Sequence, residues 1–353
     1  FMAGLAQLFW GPLSDRFGRR PALAGGLAIY LAGCLMSALA PSIELLLAGR
    51  LLQGFGGAAA IVLARAVIRD LFQGQELARN LALATAIFAI GPILAPLVGA
   101  AIAELFGWRM IFGVLALFAC ALLLILTQFP ETLAKRVPGA ASPRVVGQRM
   151  KRLFAHPQSR WFLLLSAVAM STMLFILASA PRIYDVRFGL EGTAFALFFA
   201  LHGLGIVVGQ TVNRRLIPRL GIVPAMLVGN SVLILAAVLI LILSAAGLIS
   251  AYLMTALLML YATSYLVVYA NATAMVLDPH GDIAGFAAAL FGFTSQIGAS
   301  IIASVIVLFT GDSTVGFAAA LLGICLACFA MIASWLLRRG TGRPTAGAPK
   351  STS

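Results

Sequence analysis

The sequence predicts an all-α integral membrane protein arranged as two helical bundles. Three observations lead there: a composition too apolar for water, apolar runs of membrane-crossing length, and an internal repeat. Of 353 residues, 62% are hydrophobic and 10% are charged. Soluble domains carry about 25% charged residues, so this chain cannot clothe a water-facing surface of ordinary polarity. A bilayer is its natural solvent. The net charge of +13 does not point to nucleic acid, because the basic residues sit in short clusters between apolar runs, as loops at a membrane surface do. Cys34, Cys120, Cys325 and Cys328 all lie in apolar stretches with no His or carboxylate at ligand spacing. They read as small hydrophobes, and neither disulfides nor a metal site is expected.

A crossing helix needs about 20 mostly apolar residues. Ala22–Ala40, Leu45–Ala64, Asn80–Ala103, Met110–Phe129, Trp161–Ala180, Thr193–Val212, Phe286–Leu308 and Gly316–Leu337 qualify. Leu220 to Leu277 contains no Asp, Glu, Lys or Arg. As one helix it would be roughly 87 Å long against a hydrocarbon core of about 30 Å. It is therefore expected to form two helices, broken near Ala245-Ala246-Gly247. That makes ten complete spans. Phe1–Leu13 is apolar but short, with charge from Asp15 onward. It reads as the second half of a helix, the second of a notional twelve.

With that numbering, four basic residues lie elsewhere than in one set of loops and the tail: Arg50 inside a span, and Arg109, Arg182 and Arg187 in the opposite loops. The other 20 of the 24 share one side. The excess of Lys and Arg marks that side as cytoplasmic. The expected division is a first bundle over 1–130, a cytoplasmic linker over 131–160, a second bundle over 161–337 and a cytoplasmic tail over 338–353. The linker carries Pro138, Gly139, Pro143 and seven basic residues.

The halves are related. Gly11, Asp15-Arg16, Gly18 and Pro21 in the first find counterparts in Gly209, Asn213-Arg214, Gly221 and Pro224 of the second. Paired halves are a transporter signature. In the second half a whole helix, Trp161–Ala180, precedes the motif-bearing pair, so the repeat predicts a first span that precedes Phe1.

Gly11 to Pro21 resembles motif A of the major facilitator superfamily, with Gly11, Asp15, Arg16, Gly18, Arg19 and Arg20 in place. Gly49 to Ala58, with Arg50, Gln53 and Gly54, is similar to its motif B. Gly91, Pro92, Pro96 and Gly99 resemble the antiporter motif C. Ala64 to Asp70, Phe106 to Arg109 and Pro130-Glu131-Thr132 are similar to the Bcr/CflA subfamily of drug:proton antiporters. The resemblance implies a two-bundle transporter in a bacterial inner membrane, driven by a proton gradient without a cofactor. It also implies an acidic residue in a first helix that this sequence does not contain.

The residues themselves suggest roles. Asp15 is placed to accept N–H groups at a helix start, or to pair with Arg65 or Arg69 near Asp70, as a gate between access states. The bland alternative is a topology signal with a tight Gly turn. Arg50 sits inside a span, where a central charge costs roughly 2.5–3.5 kcal/mol. It either snorkels outward or faces inward as a proton-coupling residue. Pro92 and Pro96 are expected to kink their helix. His202 is open to two readings, a titrating group or a satisfied core histidine. Tyr261, Tyr265 and Tyr269 share a helix face near Asn271, and Gln296 lies in a polar patch. These read either as helix packing or as a sparse, apolar substrate cavity. Such a cavity would suit amphipathic drug-like compounds better than sugars. The leading reading is proton-coupled efflux of such compounds by a monomer. A metabolite carrier of the same fold is the runner-up. A membrane enzyme would need a nucleophile–base set or metal ligands at depth, and none is found. A non-transporting scaffold would not need a charged motif in two related copies.

Overall fold

The computed structural model describes residues 2–136 and 142–340. Among them, twelve α-helices follow in chain order: α1 Met2–Phe17, α2 Arg19–Ala38, α3 Ile43–Leu71, α4 Gly74–Phe106, α5 Trp108–Gln128, α6 Pro143–Ala155, α7 Pro157–Phe188, α8 Gly192–Leu220, α9 Ile222–Ala245, α10 Ala251–Leu277, α11 Ala284–Thr310 and α12 Thr314–Gly340. Nine of the described helices are long and apolar enough to cross a membrane. The tenth expected span lies in α4, a continuous helix of 33 residues whose stretch Ile93–Phe106 is apolar. The charge-free stretch breaks where expected, with α9 ending at Ala245 and α10 starting at Ala251. Linker residues 137–141, with Pro138 and Gly139, and the tail from residue 341 onward lie outside the described residues.

Local chemistry explains the helix ends. Ser42 and Ser250 start α3 and α10, and their hydroxyls accept from Leu45 and Leu253 N–H. Such caps occupy donors that the first turn leaves open. Gly18 has φ 112° and ψ 157°, and Gly221 has φ 82° and ψ 171°. This region is essentially restricted to glycine. Each is a one-residue junction that turns one helix directly into the next, and the two are counterparts in the repeat.

Small residues set the spacing between helices, as is usual where the solvent is lipid. A Cβ on Gly26 or Gly33 of α2 would strike the backbone of α3 at Gly56 or Gly49, and the reverse also holds. Gly205 and Gly209 bring α8 against the Met259 and Thr263 carbonyls of α10. Helices α1–α5 pack mainly among themselves and α7–α12 among themselves; the main contacts between the two groups are α1 with α11 and α4 with α8. The densest core lies in α7–α12, around Phe162, Phe175, Met254 and Phe317. The expected polar linker contains a helix, α6, which docks on α7 and α11 through Leu153, with Val146 and Met150 packed beside it.

Candidate functional site: a charged junction at the basic end

At 1.5 Å per residue the 29-residue α3 is about 44 Å long, so its last turns project beyond a hydrocarbon core of about 30 Å. These turns carry Arg65, Arg69 and Asp70 to the end of the molecule where the basic loops gather. The Gly18 turn and the exit of α5 arrive at the same place.

Arg19 is the hub. It is 9% exposed overall. Its Nε donates to Asp70 Oδ2 at 2.8 Å, and Nη1 donates to Asp15 Oδ1 and Ser14 Oγ, both at 2.6 Å. Its backbone N–H donates to Glu131 Oε1 at 2.8 Å, and that of Arg20 to Glu131 Oε2 at 3.3 Å. The Arg20 guanidinium caps the end of α5, donating to the carbonyls of Leu126 and Thr127 at 3.1 and 2.7 Å. One cluster thus ties α1, α2, α3 and the segment after α5. Burial alone would raise the Glu131 carboxyl, but N–H groups of Leu133, Arg19, Arg20 and Thr132 outweigh it and hold the pKa below the ordinary value.

The expected pairings are corrected in two respects. Asp15 engages Arg19, not Arg65 or Arg69. The open N–H groups of α2 go to Glu131 rather than to Asp15. The physical reason is the Gly18 turn, which folds Arg19 back over Asp15 four residues earlier. Asp70 does join the cluster. Arg16 is exposed, with its guanidinium 5.0 Å from the Phe17 ring. Glu131 is the residue that sequence reasoning missed as a participant; the signal was the Pro130-Glu131-Thr132 stretch. Gly11 sits beside Val62 of α3, with room for no more than an ordinary contact.

Arg50 turns along its own helix. Its Nη1 donates to Gln53 Oε1 at 2.9 Å, Gln53 Nε2 lies 3.0 Å from Cys34 Sγ, and the guanidinium sits 5.6 Å from the Phe112 ring. Gly54 lies against Met2 and Ala3 of α1. Gly91 and Gly99 face open space, and a Cβ at either would meet no atom within 4 Å. The helix is continuous through positions 92 and 96.

The expected cavity residues are dispersed. Tyr261 is 1% exposed, with its hydroxyl 3.1 Å from Cys325 Sγ. The Tyr265 hydroxyl donates to Met170 Sδ at 3.0 Å and the ring stacks on Tyr269. Asn271 donates to Asn213 Oδ1 at 2.9 Å, joining α10 to α8. His202 is buried, with Nδ1 3.1 Å from the Leu258 carbonyl and its ring stacked on Phe199. These four are buried and partnered within the second bundle. Core helices bury a Tyr or His wherever a partner for its polar tip is near. Gln296 lies apart from them, at the α1–α11 contact beside Gly4.

The Major Facilitator Superfamily profile matches residues 1–303. The chain is 29% identical over 319 residues to the uncharacterized MFS-type transporter YdgK of Bacillus subtilis, covering 86% of this chain and 76% of that one. It is 32% identical over 288 residues to a chloramphenicol resistance protein of Pseudomonas aeruginosa, covering 81% and 66%. It is 27% identical over 224 residues to a bicyclomycin resistance protein homolog of Haemophilus influenzae, covering 63% and 56%. The fold resembles that of the xylose transporter XylE from E. coli, at 15% identity and a TM-score of 0.71, covering 98% of this chain and 87% of XylE. The repeat, the one-residue Gly junctions, the Arg19 cluster and these matches agree: this chain belongs to the major facilitator superfamily.

Proposed function

We propose that the protein is a proton-coupled exporter of small amphipathic compounds in a bacterial inner membrane, working by alternating access between bundles 1–130 and 161–337. The Arg19 cluster is the observation that carries this reading. It joins three helices and the exit of a fourth, all of the first bundle, at the end where α1 meets α11, so it fixes the first bundle's face of that seam. A gate of this kind is what a two-state carrier needs. The basic loops favour a cytoplasmic position for this end. The names of the chloramphenicol and bicyclomycin relatives support a drug-like substrate. Arg50 is exposed, but its guanidinium is tethered to the buried Gln53, which supports a coupling role. There it biases the proton affinity of a carboxylate brought near it, since a close positive charge favours the ionised form.

The test is transport in everted vesicles. An imposed proton gradient drives accumulation of chloramphenicol or a cationic dye, an uncoupler abolishes it, and Arg50→Lys retains binding but loses gradient dependence. Accumulation indifferent to the uncoupler refutes antiport.

A further inference from the structure

We propose that the seam between the two bundles at the basic end binds a phosphate-bearing anion, held between Arg69 of α3 and Arg149 of α6. A cavity of about 80 Å³ lies there, lined by Asp15, Arg19, Arg69, Arg149, Gly285 and Phe286 among others. A second, of about 50 Å³, shares Arg69 and Gly285 and adds Arg65 and Gln7. Four guanidinium groups thus line the two cavities; Arg19 is already paired with Asp15 at 2.6 Å and Asp70 at 2.8 Å, and Asp15 is the one carboxylate among the lining residues. Arg65, Arg69 and Arg149 have no hydrogen-bonded or ion-paired partner among the described residues. Arg149 is left over the Phe286 ring, 5.8 Å from its centroid. Arg69 lies so close to α11 that a Cβ on Gly285 would sit 3.1 Å from its Nη2. Helix α11 has no acidic residue in its first turn. Like charges gathered at a half-closed seam repel, and the missing element is negative.

Size and chemistry narrow the occupant. At about 30 Å³ per water, this cavity holds two or three waters, which is the scale of a phosphate group and far below that of a nucleotide. Guanidinium forks match phosphate oxygens two at a time. A lipid phosphodiester and free inorganic phosphate share this chemistry. Basic pockets between helices at the cytoplasmic face are known to take lipid headgroups. Arg69 rides on the first bundle, and α6 is docked on α7 and α11. The anion therefore bridges the bundles and loses half its ligands when they part. Its occupancy stabilises the closed seam by mass action, whatever compound the protein carries.

The experiment uses the 353-residue chain in micelles of a maltoside detergent, which carries no phosphate. Its thermal midpoint is read in inorganic phosphate and in chloride at matched ionic strength, and again in chloride with phosphatidylglycerol added to the micelles. We expect a saturable rise in at least one arm, and its loss in Arg69→Gln/Arg149→Gln. A rise only with phosphatidylglycerol assigns the lipid headgroup, and a rise only with phosphate assigns the free anion. Should the double variant fail to fold, Arg149→Gln alone, on the surface helix, decides. No rise in either arm, or an equal rise in the variant, overturns the proposal.

Discussion

Arg19 shows how one side chain can organise an end of the molecule. Its side chain is 10% exposed, while those of its partners Asp15 and Asp70 are 35% and 20% exposed. Removing one partner of a buried ion pair costs about 3–5 kcal/mol because the other charge is stranded. Asp15 is open enough to recover water, so Arg19→Gln is expected to cost roughly 2–3 kcal/mol, read as a lowered thermal midpoint. An unchanged midpoint would mean that the cluster adds nothing to folding. Glu131 makes a pH prediction. Its folded pKa lies below the ordinary 4.5, so its contribution is present above that value and is lost as pH falls through the folded pKa. Between about pH 7 and about pH 3 the wild-type midpoint should fall more than that of Glu131→Gln. Parallel curves would remove Glu131 from the junction. Asp15 and Asp70 were legible because the motif spacing singles them out. The choice of Arg19 over Arg65 and Arg69 was not, since it depends on a reversal of direction at Gly18 that spacing does not encode.

Helices and their junctions were the most legible level, because the bilayer dictates helix length and the repeat states one junction twice. Gly18 and Gly221 are related by sequence and adopt the same backbone region. Gly18→Ala should destabilise by about 1–3 kcal/mol through backbone strain. Its Cβ would also be directed at the Glu131 carboxylate. A midpoint within error of wild type would contradict that strain. Helix α6 reads in the sequence as part of the linker over 131–160, because four of its thirteen residues are Arg or Lys and its composition is polar. The signal that overrides composition is the spacing of Val146, Met150 and Leu153, one apolar stripe at helical intervals. The tyrosine stripe of α10 was ambiguous for a related reason. Periodicity identifies a shared face but not what that face meets, and the structure sets it against Met170 and Cys325.

For the whole molecule, the two bundles meet where α4 packs on α8 and, at the basic end, where α1 packs on α11. Gly4 abuts Gln296, and Gly292 abuts the Gln7 amide so closely that no side chain fits at 292 without displacing it. Gly4→Leu, whose Cβ would meet Gln296 Cβ at 3.0 Å, should therefore loosen the two bundles at this contact while leaving each bundle folded, seen as increased labelling of a cysteine introduced at Gln7. Unchanged labelling would mean that the seam tolerates the added bulk. That two bundles exist was readable from the repeat. Which helices join them was not, because close approaches at glycines occur within the bundles as well as at the α1–α11 seam.

The Arg19 cluster is proposed to act as a latch on the first bundle's side of the seam, holding α1, α2 and α3 in the arrangement against which the basic end closes in one access state. The most direct measurement is the distance distribution between spin labels at Gln73 and Gly281, positions on opposite sides of the seam, in wild type and in Asp15→Asn. Wild type is expected to show a short, dominant population, and Asp15→Asn a shift toward longer distances with membrane insertion unchanged. Identical distributions in the two proteins would contradict the latch.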